Sequence, residues 1–353
     1  MKLVFFGLSI TSSWGNGHAT TYRALLRELS KLGHQILFLE RDVPWYASNR
    51  DMIAATFCTV ELYRDPEDLR NRFGTAVRTA DAVIVGSYVP DGVTVGEWVL
   101  ATARGITAFY DIDTPITLAK LERADFEYLS PDLIPGYQIY FSFSGGRSLT
   151  RLENEYGSPA ARALYCSADP ELYYPAEIER RWTLGYLGTY SDDRQSALNS
   201  LLVQPALRLP MARFAVCGPG YPKEIEWPPN VDCTQHVPPD QHRRFYCQQR
   251  FTLNITRASM RKNGFSPSVR LFEAAACGVP IISDTWDGIE MFFEPGKEIL
   301  LVHSTDEVVS ILRDLPDREC TRIGKRARRR LLRNHTPRQR AIEFITSLAE
   351  ATR

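Results

Sequence analysis

The chain has 353 residues, 44% hydrophobic and 24% charged, with 42 Lys and Arg against 42 Asp and Glu. At about 100–200 residues per domain this length implies two domains with a cleft between them, and the composition excludes disordered, collagen-like and low-complexity chains. The missing basic excess speaks against a nucleic-acid partner, no apolar run reaches the roughly 20 residues of a membrane span, and 7 scattered cysteines without a CxxC pair point to reduced thiols in the cytoplasm, with no disulfide framework and no metal site.

Lys2–Gly7 is an apolar run ending in glycine, and it reads as a first strand; a signal peptide would need a longer apolar core and a small-residue cleavage site. The polar, Gly-rich stretch from Ser9 to His18 follows, then Tyr22, Leu25, Leu26 and Leu29 at helical spacing. Gly33-His34 stops that helix, and Gln35–Glu40 is a second apolar run. This order is a βαβ unit, which demands parallel strands and a right-handed crossover. Ala82–Gly86 and Thr107–Asp111 continue it. A proline-punctuated linker near Asp169-Pro170 and Tyr173-Tyr174-Pro175 ends the first half. The grammar then restarts with Thr183–Gly188, Phe214–Gly218, Phe251–Ile255, Val279–Ser283 and Ile299–Val302 as strands. Two α/β halves, each with its own parallel sheet, are therefore expected. A basic helix (Arg322, Lys325, Arg326, Arg328, Arg329, Arg330, Arg333) lies near the end. It reads first as a solvated face, and second as a peripheral membrane contact.

The segment Asn263–Pro280 carries the most chemistry. Ser266-Pro267-Ser268 looks like a helix start, with serine able to cap and proline preset for the first turn. Free backbone N–H groups and the positive dipole end there suit a phosphate. Arg270 can add a bidentate contact. Glu273, one turn deeper, can accept hydrogen bonds from the vicinal hydroxyls of a ribose, or can simply pair with Arg270. Asn254 and Arg257 end a strand, where open α/β sheets meet their ligands. Gly218 ends another and would let a ligand approach the backbone. In the first half, Gly15 and Gly17 precede His18, placing an imidazole at a helix start, either as a general base or as a hydrogen-bonding cap. Asp111 and Asp113 follow a strand, as acceptor-binding or basic carboxylates or as an Asx-turn into Pro115. Ser144–Arg147 is a further cationic loop.

Arg270–Pro280 resembles the donor-binding helix of GT-B glycosyltransferases of the group-one (family-four) type, and within them the CgeB-like spore-maturation branch. Gly288-Ile289-Glu290, Phe293–Leu301 and His335-Thr336 in the closing helix agree with it. The resemblance implies two Rossmann-like domains with parallel sheets facing across a cleft. Residues 1–170 would be the acceptor domain, completed by a last helix over 335–353, and residues 176–334 the donor domain. It implies Arg194 against the donor diphosphate, Glu273 on the donor ribose, and main-chain groups near Val237 on the base. His18 matches the place where some inverting relatives hold their base. The family carries two glutamates separated by seven residues around this helix; Phe265 stands eight positions before Glu273, so only the second is present.

The expected function is metal-independent transfer of a sugar from a nucleoside diphosphate donor, UDP- or dTDP-linked, to an acceptor that is a small molecule, glycan or protein. No cofactor is expected. The site residues are His18, Asp111 and Asp113 for catalysis, and Arg194, Gly218, Val237, Arg257, Ser266, Ser268, Arg270 and Glu273 for the donor. The alternatives are a nucleotide-sugar epimerase and a degenerate binding or structural homologue. A nicotinamide dehydrogenase fits poorly: Glu40 suits its acid, yet Gly7, Gly15 and Gly17 do not have the required spacing.

Overall fold

The computed structural model describes residues 1–52 and 54–351. They form two compact units, Met1–Cys166 with the C-terminal helix, and Ser167–Thr336. In the first unit the strands are β1 (Lys2–Gly7), β2 (Gln35–Arg41), β3 (Thr59–Tyr63), β4 (Ala82–Gly86), β5 (Ile106–Asp111), β6 (Ile139–Ser142) and β7 (Ala161–Ala163). They are crossed by α1 (Gly17–Lys31), α2 (Pro44–Ala47), α3 (Pro66–Thr79), α4 (Gly92–Thr102), α5 (Thr114–Glu122) and α6 (Arg147–Asn154). The sheet order is β3-β2-β1-β4-β5-β6-β7 and every pairing is parallel.

The apolar runs are continuous because the sheet is covered on both faces. Along β1, Val4 and Phe6 enter one core with Val83, Val85 and Phe109, while Leu3 and Phe5 enter the other with Leu25, Leu26 and Ile84. The C-terminal helix, α14 (Pro337–Ala351) in chain order, closes the second of these cores. Its Phe344 ring packs 5.7 Å from Phe5 and 4.8 Å from Phe141. That helix begins at Pro337, where a missing N–H costs nothing. His335 and Thr336, expected within it, belong to the second unit, where the His335 ring lies 4.8 Å from Phe272.

The second unit holds β8 (Trp182–Leu187), β9 (Phe214–Cys217), β10 (Val231–Thr234), β11 (Gln249–Asn254), β12 (Ile281–Ser283) and β13 (Leu300–Leu301). Its helices are α7 (Asp192–Leu198), which runs on through a π-helical turn, then α8 (Gln204–Arg208), α9 (His242–Cys247), α10 (Ala258–Asn263), α11 (Val269–Ala276), α12 (Thr305–Asp314) and α13 (Asp317–Asn334). The order β10-β9-β8-β11-β12-β13 repeats the parallel topology of the first six strands. Both sheets have the doubly wound arrangement, in which ligand crevices open at the carboxyl ends of strands. The basic helix is α13: Cys320, Ile323, Ala327 and Leu331 are buried along one stripe, with Lys325, Arg329 and Arg333 exposed opposite. Among the described residues, no helix is long and apolar enough to cross a membrane.

Candidate active site

In the second unit the strand ends converge on positive charge. Ser268 caps α11 by accepting from the Arg270 amide at 3.4 Å, which leaves the first helical amides and the Arg270 side chain at one end. Ser266, buried, precedes it. Arg194 sits in the first turn of α7 and is only 5% exposed. Its Nη2 donates to the Thr189 carbonyl, and its Nε has no partner. Burial lowers the Arg194 pKa, and the nearby charges of Arg270 and Arg257 lower it further. All three guanidinium groups also act on the buried Tyr186 hydroxyl at the end of β8. Among the described residues, no salt bridge joins a carboxylate to Arg194, Arg257 or Arg270, while the charge of Asp193 acts on both Arg194 and Arg257.

Asp193 explains how two distant segments are held together. Its Oδ2 accepts from the Ala258 amide at 2.6 Å, fastening the turn after β8 to the start of α10, just beyond Arg257. On the other side, Asp284 accepts from the Thr256 amide and hydroxyl, and the Asn254 side chain donates to Ser283 at 3.0 Å. Arg257 therefore leaves a backbone pinned from two directions. Gly218 is required where it stands: φ is +148°, and a Cβ there would lie 2.0 Å from the Gly188 carbonyl. The ends of β8 and β9 meet too closely for any side chain.

Glu273 is 7% exposed and accepts from the Tyr246 hydroxyl at 3.0 Å. Tyr173 lies near it, and burial beside this carboxylate drives the Tyr173 phenol far up. Tyr246 orients the carboxylate; neither tyrosine was anticipated, because they come from the linker and from α9, far from Glu273 in sequence. Glu273 and Arg270 form no ion pair. Phe265 has φ +47° and packs its ring over Gly288, where a Cβ would come within 2.3 Å. Val237 is half-buried, and its carbonyl engages His242 Nε2 at 3.0 Å. It borders a recess of about 440 Å³ lined also by Thr234, Gln241 and Arg244.

In the first unit His18 lies in the first turn of α1, its amide bonded to Asn16 Oδ1 at 3.1 Å. Its Nε2 is 3.9 Å from Asp113 Oδ2, its ring stands edge-on to Tyr88, and its Nδ1 is buried without a partner. The structure thus brings the side chains of His18 and Asp113 together, while Asp111 meets only the Asp113 backbone. Asp111 is fully buried and accepts from Tyr140 Oη at 2.7 Å, Thr117 Oγ1 at 2.8 Å and the Asp113 amide at 3.1 Å. Burial lifts its pKa to about 6 despite those donors. Glu40 is spent on the β1–α1 loop, accepting from Ser9 Oγ, the Ile10 and Thr11 amides and Thr11 Oγ1 at 2.5–3.1 Å.

Residues 194–346 match the family model described as "Glycosyl transferase-like". A comparison with curated proteins finds no match. Among solved structures, sucrose-phosphate synthase from Thermosynechococcus elongatus is 12% identical, with a TM-score of 0.70 over 99% of this chain and 98% of that one. Anabaena HepE, solved with UDP-glucose, is 13% identical with a TM-score of 0.70, over 99% and 100%. An α-glucosyltransferase solved with UDP-glucose and DNA is 11% identical with a TM-score of 0.70, over 99% of each. The chain therefore has the GT-B fold, and the part of it that begins at Arg194 and holds the arginine cluster matches the glycosyl transferase-like family.

Proposed function

We propose that the protein is a glycosyltransferase that moves a sugar from a nucleoside diphosphate to an acceptor nucleophile without a metal ion. One observation carries this reading: Arg194 is buried, its Nε has no partner, and Arg257 and Arg270 lie within electrostatic reach with Asp193 as a single nearby carboxylate. An unpaired buried cation is costly unless something neutralises it. A diphosphate does so, seated against the capped start of α11, whose amides and dipole favour the same anion.

Departure of the diphosphate builds negative charge in the transition state. Fixed cations and amides aimed there stabilise it without reorganising, which is the role a metal would otherwise fill. Glu273, held by Tyr246, receives the ribose hydroxyls, and main-chain groups near Val237 receive the base, with Gly218 keeping the backbone low beside them. His18, paired with Asp113, accepts the proton of the incoming nucleophile. Asp111 braces that strand end: fully buried with three donors, it has no path to an acceptor. UDP- and dTDP-sugars are the favoured donors, and HepE, which shares the fold, was solved with UDP-glucose. The CgeB-like affinity and a cytoplasmic location complete the reading.

The test is product analysis of purified protein with UDP-, dTDP-, GDP- and ADP-sugars and a panel of sugar and small-molecule acceptors. A glycoside plus free nucleoside diphosphate is expected. An isomerised donor formed without any acceptor would make the protein an epimerase, which would equally use Arg194 and Glu273. Nucleotide retention without turnover of any donor would make it a binding protein.

A further inference from the structure

Two tryptophans stand exposed on the loops that follow β1 and β2, the first of which leads to His18. Of the chain's six tryptophans, Trp14 on the β1–α1 loop and Trp45 in α2 are the exposed ones, at 51% and 60%. Their ring centroids are 4.6 Å apart with the planes at 61°, so the pair makes a corner with two apolar walls. The backbone under both is fixed. The Trp14 amide donates to Ser12 Oγ at 3.3 Å, Ser12 Oγ donates to the Asn49 carbonyl at 2.7 Å, and Asn49 Nδ2 donates to the Trp45 carbonyl at 2.9 Å. The Asp51 and Met52 amides donate to the Thr11 carbonyl at 3.0 and 3.1 Å, and Glu40 holds the same loop through the Ile10 and Thr11 amides. Large rings kept in water, in contact, on a braced backbone mark an interaction site, and little ordering is left to be lost when a ligand arrives.

The neighbouring charges decide the occupant. Asp42, three residues before Trp45, accepts from Arg50 Nη2 at 2.6 Å, and Asp51 accepts from Arg23 Nη2 at 2.5 Å and from the amide of Ser13, next to Trp14, at 3.1 Å. Charges that cancel in pairs give no pull toward an anionic lipid surface. Two tryptophans among paired ions also fall far short of the roughly 1,000 Å² that a protein interface needs. A pyranose ring fits both features: its C–H face stacks on the electron-rich face of an indole, and its hydroxyls meet the carboxylate and guanidinium groups alongside. The corner also belongs to the loop of the candidate base. Asn16 donates to the Ser12 carbonyl at 3.1 Å and accepts from the His18 amide, and the chain from Trp14 to His18 reaches about 14 Å at most. We propose that Trp14 and Trp45 seat a saccharide acceptor, one sugar ring stacking in the corner beside His18. That this saccharide is an acceptor rests on the transferase reading; that the pair binds carbohydrate does not.

The experiment titrates glucose, mannose, galactose, N-acetylglucosamine, maltose, cellobiose and lactose into the full-length protein, followed by indole fluorescence and saturation-transfer NMR. It compares the parent with Trp14→Ala, Trp45→Ala, Trp14→Phe and Trp45→Phe; unfolding curves check that each variant is folded. At least one saccharide is expected to quench the parent's emission. Each alanine variant should bind it about tenfold more weakly or worse, and each phenylalanine variant should recover most of the loss, with UDP, dTDP, GDP and ADP affinities unchanged throughout. In turnover, the KM for that saccharide should rise in the alanine variants by more than kcat falls. A parent that binds none of these saccharides, or binding undiminished in both alanine variants, overturns the proposal; release from phosphatidylserine vesicles or loss of a dimer in those variants would then name the occupant instead. Saccharide binding that depends on both tryptophans in a protein that binds no nucleotide supports the carbohydrate seat and overturns its role as an acceptor site together with the transferase reading.

Discussion

The two units repeat one topology, yet among the buried charges at their strand ends Arg194 of the second unit stands apart from the carboxylates Glu40, Asp111 and Asp284, which have donors from within. In the first unit these charges are carboxylates with full complements of donors: Glu40 accepts four hydrogen bonds and Asp111 three. In the second, the buried Arg194 leaves one nitrogen unbonded and faces two further cations. A buried charge whose partners are all internal is a brace for the loop it holds. One whose partners are missing marks where a ligand of opposite charge completes the structure. The contrast separates the two kinds of buried charge without reference to any relative.

Five substitutions sharpen or break this contrast. Glu40→Ala carries the largest stability effect, because it strands two amides and two hydroxyls in a buried loop. Denaturant unfolding is expected to show a loss of about 3–5 kcal/mol; a loss below about 1 kcal/mol would break the brace reading. Arg194→Ala is expected to do the reverse, lowering turnover about 10²–10³-fold while leaving the stability of the nucleotide-free protein within about 1 kcal/mol of the parent. His18→Ala is expected to cost about 10²-fold or more in transfer rate with nucleotide affinity intact, as calorimetry would show. If affinity fell with the rate, His18 would not be the base.

The pH dependence is smaller and has a definite sign. Folding raises the Asp111 pKa from its ordinary 3.8 to about 6, so the folded protein holds that proton longer than the unfolded chain. Its contribution to stability is complete below pH 3.8 and is lost as the pH rises through 6. Asp111→Asn should flatten the melting temperature across that window, and an unchanged slope would count against the burial effect. Smallest of all, Lys325→Ala on the exposed face of α13 is expected to shift stability by no more than about 0.5 kcal/mol and to leave nucleotide affinity unaltered.

Much of the fold was legible as rhythm. The central strands β1, β2, β4, β5, β8, β9, β11 and β12 announce themselves because burial on two faces demands unbroken apolar runs. The outer strands β3, β7 and β10 did not, since Thr59–Tyr63 and Val231–Thr234 are half-exposed and Ala161–Ala163 has only three residues. The four-residue β6 was also too short to stand out between its flanking loops. At the candidate site, the start of α11 was legible from Ser268 and the proline before it. That Arg194 and Arg257 lie within electrostatic reach of Arg270 was legible only through the family resemblance and the strand-end rule, since the three belong to separate segments and no local spacing links them. Tyr246 and Asp193, which hold Glu273 and the turn after β8, carry no local signature; only tertiary packing brings them to the site.

The central claim is that the arginine cluster grips the diphosphate of a nucleotide. The most direct measurement titrates UDP, dTDP, GDP and ADP, each beside its own nucleoside, into the parent protein and into Arg194→Ala. The account predicts that the tightest nucleotide binds at least a hundredfold better than its nucleoside in the parent, and that Arg194→Ala removes most of that difference. Equal binding of nucleotide and nucleoside, or an undiminished difference in the variant, would contradict it.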